Sequence, residues 1–287
     1  MRRVRIRPAC RPGPSRSRSL SSSNRTLLIR PGAIGDFIVS LPALKFLSAP
    51  ETELWAPSAV LPLARFAART CSIASTGLDL LELPGVEPPA SLLERLGSFD
   101  RIVSWYGSAR EPFRERVRDL GLPFHFLPSL PPEQGEEHAA DFYLRCAGGS
   151  PPARPRIDCP RRDEGFVAIH PFSGSGRKNW PLENYRAVAA ALGDVRWCAG
   201  PFEDLPGAVR IDDLYELACW LAGARLFLGN DSGIAHLAAA VGTPVISLFG
   251  PTDPRVWAPR GRSVRVLAPM DRVTPGDVLN EIRRRSG

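Results

Sequence analysis

Residues 226–249, LFLGNDSGIAHLAAAVGTPVISLF, hold the pattern from which the rest of the chain can be read. A short apolar run ends abruptly at Asn230-Asp231-Ser232-Gly233, an alanine-rich segment follows, and a second apolar run begins after Gly242-Thr243-Pro244. Apolar runs of this length read as strands buried on both faces. Strands that alternate with helical segments read as a parallel sheet with helices against it. The polar break then has a physical cause: Asp231 and Ser232 are expected to cap a helix, leaving free backbone N–H groups at the strand's carboxyl end, where an anion can bind. His236 falls one helical turn after Ser232, so both are expected on one side of that helix.

The same alternation extends in both directions. TLLIR (26–30), the loop Pro31–Gly35 and a helical stretch DFIVSLPALKFL open the chain's first half. ETELWA, the segment 59–69, RIVSW (101–105), FHFLP and a helix-like stretch near 136–146 complete it. Residues 149–164 hold four prolines and little apolar content, which reads as a linker. After it come FVAIHPF, PLENYRAVAAAL, VRWCAGP, DLYELACWLAGA and the opening stretch. The expected organisation is a tail at 1–24, an α/β domain at 25–148, the linker at 149–164 and a second α/β domain at 165–287. Ligands of such sheets bind at the carboxyl ends of the strands, so a cleft between the two domains is the expected site.

Composition narrows the function classes. The chain has 287 residues, 44% of them apolar, and no apolar run approaches the roughly 20 residues of a membrane helix. Its formal charge of +7 sits in the tail: residues 1–24 carry seven of the 37 basic residues and no acid, and the remaining 30 balance 30 acidic ones. That Arg/Ser/Pro-rich tail reads as a disordered extension; it lacks the apolar core of a secretory signal. Six scattered cysteines without paired spacing point to reduced thiols rather than a disulfide frame or zinc site, and four histidines are too few for a His-rich metal cluster. Only two of the 37 basic residues are lysines, Lys45 and Lys178. In a chain this rich in Arg, a retained Lys marks a place where a compact ammonium is needed.

Three loops could carry chemistry. In RPGAIGD (30–36), Gly32 and Gly35 permit tight turns and Asp36 lands at the start of a helix, as an N-cap or as a carboxylate able to take a proton from a hydroxyl at the cleft mouth. In HPFSGSGRKNWP (170–181), Ser173, Gly174, Ser175 and Gly176 offer amides and hydroxyls beside the Lys178 cation, a cradle suited to a diphosphate. Its spacing is neither that of a P-loop nor that of a dinucleotide fingerprint. The third loop is Asn230–Gly233, followed by His236. A Ser-His-Asp triad is disfavoured there, because Asp231 and Ser232 are adjacent and no nucleophile elbow is present.

Taken together, IRPGAIGDFIVSLPALKFL, HPFSGSGRKNWPLENYRAVA and LFLGNDSGIAHLAAAVGTPVISLFGPTDPRVWAP resemble the heptosyltransferases of glycosyltransferase family 9. The resemblance implies an α/β, GT-B architecture: two Rossmann-like domains with parallel sheets, facing each other across a cleft. The N-terminal domain would hold the acceptor and the C-terminal one the nucleotide sugar. It implies inverting, metal-independent transfer, with Asp36 as catalytic base and Lys178 on the donor phosphates. Asp231, Ser232, Gly233 and His236 match the family's D-[ST]-G-x-x-H segment around the pyrophosphate and sugar. Ser173, with Gly174 beside it, falls where a hydroxyl reaches the phosphates, and Glu203 matches an acid holding the adenosine ribose. The implied partners are ADP-heptose as donor and a glycolipid or oligosaccharide acceptor, in the cytoplasm or peripherally at the inner face of the membrane. No cofactor, metal or nucleic acid is implied.

Other readings stay open at this level. The same fold could serve another nucleotide sugar and acceptor, and FRERVR (113–118), the nearest basic candidate for an acceptor site, alternates like a solvated helix face. A non-catalytic nucleotide-sugar binder would not need both Asp36 and Lys178. An NAD-dependent dehydrogenase would need a G-x-G-x-x-G that the first loop lacks.

Overall fold

A computed structural model describes residues 25–83, 85–132, 135–160 and 164–286. The tail at 1–24 lies outside the described residues, as do 161–163 of the expected linker. The N-terminal half is built from β1 (Thr26–Ile29), α1 (Ile34–Leu47), β2 (Glu53–Ala56), β3 (Arg69–Ser72), α2 (Ala90–Gly97), β4 (Arg101–Ser104), α3 (Glu111–Asp119), β5 (Phe124–Phe126) and α4 (Ala139–Cys146). The C-terminal half contains β6 (Val167–His170), α5 (Leu182–Ala190), β7 (Val195–Trp197), α6 (Leu214–Ala222), β8 (Leu226–Asn230) and α7 (Gly233–Ala240). It ends with β9 (Val245–Leu248), α8 (Pro254–Trp257), β10 (Val264–Leu267) and α9 (Pro275–Ser286).

Each half has one parallel sheet. The first runs β3-β2-β1-β4-β5 and the second β10-β9-β8-β6-β7. A parallel bridge between Cys198 and Val209 adds a further contact at the β7 edge. Counting that bridge as a strand, the C-terminal order is 3-2-1-4-5-6, the order of dinucleotide-binding sheets, with its switch point between β6 and β8. The N-terminal switch point lies between β1 and β4. Segment 59–69, expected only to continue the alternation, forms a 3-10 turn over Ser58–Leu63 and then strand β3 at the sheet edge.

The period-2 alternation of a strand decides which layer each side chain joins. Leu27 and Ile29 face an outer core with Leu92, Leu96, Phe113 and Val117, whereas Leu28 faces the opposite side. Likewise Val167, Ile169, Leu226 and Leu228 join an outer core with Tyr185, Val278 and Ile282, whereas Ala168 and Phe227 point the other way. The inward-facing residues of both sheets belong to one hydrophobic cluster that also includes α1, α4, α6 and α7. The two halves therefore share a middle layer of helices rather than meeting only at a linker. Helix α1 shows why: eight of its side chains, from Phe37 to Leu47, are buried around its whole circumference, which a helix tolerates only inside a core.

The alanine run of α7 is explained by the same layer. A Cβ on Gly233 would lie 2.7 Å from Cβ of Ile34 and 3.0 Å from the Gly35 amide, so only glycine lets the N-termini of α1 and α7 approach this closely. Polar ties close the interface. Asp141 on α4 accepts two bonds of 2.7 Å from Arg260. His138 accepts from the Ala140 amide through Nδ1 and so donates from Nε2 to the Ala258 carbonyl at 2.8 Å. Lys45 donates to the Arg156 carbonyl at 2.8 Å, which accounts for one of the two lysines. Helix α9 packs on α5, placing Val278 and Ile282 in the outer core of the C-terminal half rather than across the interface. No helix among the described residues is long and apolar enough to cross a membrane.

Candidate active site

The loop after β1 is held from below by Arg30. Its side chain is 2% exposed and donates to Ser40 Oγ, the Pro31 carbonyl and the Asp36 carbonyl, each at 3.0 Å. The guanidinium lies 4.8 Å from the Tyr143 ring centroid, an attraction that strengthens in a dry site. Burial pulls Arg30 below its ordinary value, against the Tyr143 and Asp36 charges. Asp36 is not the N-cap. Helix α1 begins at Ile34, so Asp36 sits in its first turn and its Oδ2 reaches back to accept from the Ala33 amide at 2.9 Å. Gly32 has φ +115°, and a Cβ there would stand 2.9 Å from that same Oδ2, so the turn that frames the carboxylate requires glycine.

On the opposite wall, Ser232 caps α7 by accepting from the Ala235 amide at 3.3 Å. Asp231 does not cap, contrary to expectation. Its Oδ2 accepts from Lys178 Nζ at 2.7 Å and from the Thr252 hydroxyl. The pair is half-open, with the Lys178 side chain 29% and the Asp231 side chain 7% exposed. Asn230, fully buried, ties the two loops together: its Oδ1 accepts from the Trp180 amide and the Tyr185 hydroxyl, and its Nδ2 donates to the Pro171 carbonyl. Every polar atom of that amide is satisfied, which fixes the Lys178 loop against the end of β8. His236 is buried. Burial is the main influence on its ring and pushes it down to about 4, opposed by Asp231, so it is neutral at pH 7.

These groups line one cavity of about 500 Å³ at the mouth between the halves. Asp36, Gly174, Ser175, Lys178, Asp231, Ser232, Gly233 and His236 border it, with Thr252 and Trp257. A Cβ on Gly35 would be only 3.5 Å from the His236 ring, so the walls touch where the two helix N-termini meet. Of the nine residues singled out from the sequence, seven border the cavity. Ser173 does not: its hydroxyl is turned into its own loop, 2.8 Å from both the Ser175 carbonyl and Asn179 Oδ1. Glu203 does not either; it stands beyond β7, where its Oε2 meets His170 Nε2 at 2.9 Å. Arg30, Asn230 and Thr252 were given no role from the sequence, although all three lie inside the motifs quoted above; burial of an Arg or Asn leaves no local signal.

Chemically, the cavity places a carboxylate on one wall against an ammonium and a helix N-terminus on the other. That suits transfer of a group from an anionic leaving group to a proton-bearing nucleophile. Among the described residues, no three His, Cys, Asp or Glu side chains are grouped to hold a metal ion. The basic stretch 113–118 is a solvated face of α3, with Arg114 and Arg118 near Glu111 and only Phe113 and Val117 turned inward.

Comparison with known proteins places these features in context. The model of glycosyltransferase family 9 (heptosyltransferase) matches residues 209–274. Lipopolysaccharide heptosyltransferase 1 of Salmonella typhimurium is 27% identical over 240 residues, spanning 72% of this chain and 71% of that protein. Lipopolysaccharide heptosyltransferase 1 of Pseudomonas aeruginosa is 54% identical over 103 residues, 30% of this chain and 29% of that protein. In fold, the chain is similar to the E. coli heptosyltransferase WaaC with ADP (TM-score 0.64, 18% identity, 91% of this chain and 99% of that one). It is also similar to E. coli ADP-heptose lps heptosyltransferase II (TM-score 0.66, 17% identity, 91% and 98% covered).

Proposed function

We propose that this chain, which has a GT-B fold and matches the glycosyltransferase family 9 model over residues 209–274, transfers heptose from ADP-heptose to a hydroxyl of a lipopolysaccharide core or related surface glycan. The observation that carries this reading is the single cavity in which Asp36 of the N-terminal half faces Lys178, Asp231, Ser232, Gly233 and His236 of the C-terminal half. The acceptor would enter over the N-terminal sheet and the donor over the C-terminal one.

In this proposal the acceptor hydroxyl attacks the anomeric carbon from the side opposite the diphosphate, so the anomeric configuration inverts. Asp36 accepts the proton that the hydroxyl loses as the new bond forms. A carboxylate is a weak base, and proton transfer is therefore late, when the attacking oxygen has become acidic. The bond to the diphosphate breaks, and its growing charge is met by Lys178, by the Thr252 hydroxyl and by the free amides at the α7 N-terminus. Neutral His236 lies beneath the reacting sugar as a hydrogen-bonding wall. No metal ion is required. The supporting geometry is the 2.7 Å Lys178–Asp231 contact, which holds the ammonium at the cavity. The protein would work as a cytoplasmic enzyme, peripheral at the inner membrane face where a lipid-linked acceptor is met.

The test is turnover of ADP-heptose with a heptose-free core acceptor, in EDTA, followed by ADP release and product mass. The proposal expects a product one heptose heavier with inverted anomeric configuration, and turnover by Asp36→Asn lowered about 10²–10⁴-fold. Turnover with a UDP- or GDP-sugar instead would remove heptose from the reading. Turnover abolished by EDTA and restored by a divalent ion would remove metal independence.

A further inference from the structure

Two of the scattered cysteines come together in the fold. The segment that joins the halves is tied to both of them. The Ala153 amide donates to Asp141 on α4 at 2.6 Å, and the Ile157 amide donates to the Ala240 carbonyl at 3.1 Å. The segment then lies along α6. The Asp158 carbonyl accepts from the Tyr215 hydroxyl at 3.2 Å, and the Cys159 thiol donates to the Ala218 carbonyl at 3.8 Å. That sets Cys159 beside the next residue of α6, Cys219, whose thiol is its side-chain partner. Both cysteines are free and half-buried, and neither borders the catalytic cavity.

Cys159 does border a second cavity, of about 440 Å³, at the other end of α7: the helix has its N-terminus at the catalytic cavity and its C-terminus here. Arg154, Arg156 and Arg262 line it against a single acid, Asp158. No ion pair among the described residues engages any of the three guanidiniums. The carbonyls of Ala239 and Ala240 at the end of α7 already accept from the Gly242 and Ile157 amides. The arginines therefore dominate the charge of the cavity and draw anions into it. A thiol at the edge of a basic cavity, backed by a second thiol, is arranged for exchange with an anionic disulfide.

We propose that Cys159 and Cys219 are a redox-reversible pair, closed by an anionic low-molecular-weight disulfide that docks among Arg154, Arg156 and Arg262. The Cys159 thiolate attacks one sulfur of that disulfide, forming a mixed disulfide and expelling one thiolate. The Cys219 thiolate then attacks Cys159 Sγ, forming the Cys159–Cys219 bond and expelling the second thiolate. The two protons of the protein thiols end on the two released thiols, so the small disulfide is reduced as the pair is oxidised. Burial first, and the Cys219 charge second, push the Cys159 thiol up to about 11. Exchange is therefore slow at pH 7. Reduction of the closed pair is slow as well, because a thiol of high pKa is a poor leaving group. The new bond ties the joining segment to α6 and encloses β6, α5 and β7 in one covalent loop, which restricts the unfolded chain. The pair stands apart from the transfer reaction proposed above.

The experiment incubates the folded full chain with glutathione disulfide, alkylates the remaining thiols in denaturant and maps the peptides by mass. The expected result is a Cys159–Cys219 cross-linked peptide with the other cysteines alkylated. The melting temperature should rise by roughly 4–16 °C and return with dithiothreitol. Cys219→Ser should stop at the mixed disulfide, one glutathione heavier at Cys159, and Cys159→Ser should take up no glutathione at Cys219. Relative to its rate with a free cysteine peptide, anionic glutathione disulfide should close the pair at least about threefold faster than cationic cystamine. Replacing Arg154, Arg156 and Arg262 together by Gln should erase that difference. A pair that stays alkylatable, or closes with no change in melting temperature, overturns the proposal. Glutathione on Cys219 in Cys159→Ser overturns the order of attack. Equal relative rates for the two small disulfides overturn docking among the arginines.

Discussion

Lys178→Ala tests the donor side of the cavity on two levels. In the free protein it removes the ammonium 2.7 Å from Asp231, whose side chain is 7% exposed. Breaking a fully buried pair costs about 3–5 kcal/mol. Asp231 here keeps the Thr252 hydroxyl and lies at the N-terminus of α7, which reduces the expected cost to about 1–2 kcal/mol. At about 2–4 °C per kcal/mol, the melting temperature should fall by roughly 2–8 °C. The larger effect is on ligand binding. ADP at 100 times its dissociation constant stabilises the folded state by about 2.7 kcal/mol, a rise of roughly 5–10 °C. Losing a charge-assisted bond to the phosphates, worth about 1.5–3 kcal/mol, weakens ADP roughly ten- to a hundredfold. At the same ADP concentration the variant's stabilisation then drops to about 0.4–1.4 kcal/mol. Differential scanning fluorimetry with ADP, UDP and GDP on both proteins reads all of this. Equal ADP-induced shifts in the two would refute Lys178 as a phosphate ligand. Lys178→Arg should recover only part of the response, because a planar guanidinium does not occupy the space of a compact ammonium.

Asp36→Asn retains an acceptor for the Ala33 amide but cannot take a proton. Turnover should fall about 10²–10⁴-fold with the ADP dissociation constant unchanged, and a loss of less than tenfold would dismiss Asp36 as the base. Gly233→Ala drives a methyl to within 2.7 Å of Ile34. Forcing α1 and α7 apart should cost about 1–3 kcal/mol of stability and lower turnover beyond what the melting shift explains; an unchanged melting curve would mean that the interface is slack. The stability of the fold should also follow pH through two histidines. Burial is the leading cause that holds both His138 and His236 below their ordinary value of 6.5. The unfolded chain therefore binds more protons than the folded one below that value. Their contribution is complete above pH 6.5 and is lost as pH falls towards the folded-state values. The melting temperature should decline from pH 7 to pH 5, and less steeply in His236→Gln; parallel pH profiles for the two proteins would contradict this assignment.

The opening stretch shows how much the local sequence carries. Strand β8, its polar stop, helix α7 and strand β9 all form where the run of residue types places them, and Ser232 takes the cap. Such features depend on neighbours within four or five positions, through hydrogen bonds between nearby backbone groups and the period of the side chains. For the same reason Lys178 and Asp36 could be picked out as candidates before any contact was known. The residues that misled did so where two local roles compete. Asp231 can cap a helix as readily as Ser232, and the choice fell to Lys178, 53 residues away, and Thr252, 21 residues away, which supply stronger donors than a backbone amide. Ser173 turned inward because Asn179 and the Ser175 carbonyl were closer partners than the cavity.

The sequence alone determined the alternation of strands and helices and the loops at which a polar residue follows a buried strand. All of these rest on short-range propensity and on burial of an apolar face. Only the tertiary structure decided that α1, α4, α6 and α7 form one shared middle layer. It alone set Asp36 across from Lys178 in one cavity and turned Glu203 away from it, onto His170. Those relations join groups that are distant along the chain and depend on the packing of two sheets around common helices. No local window of residues contains the energies that decide them.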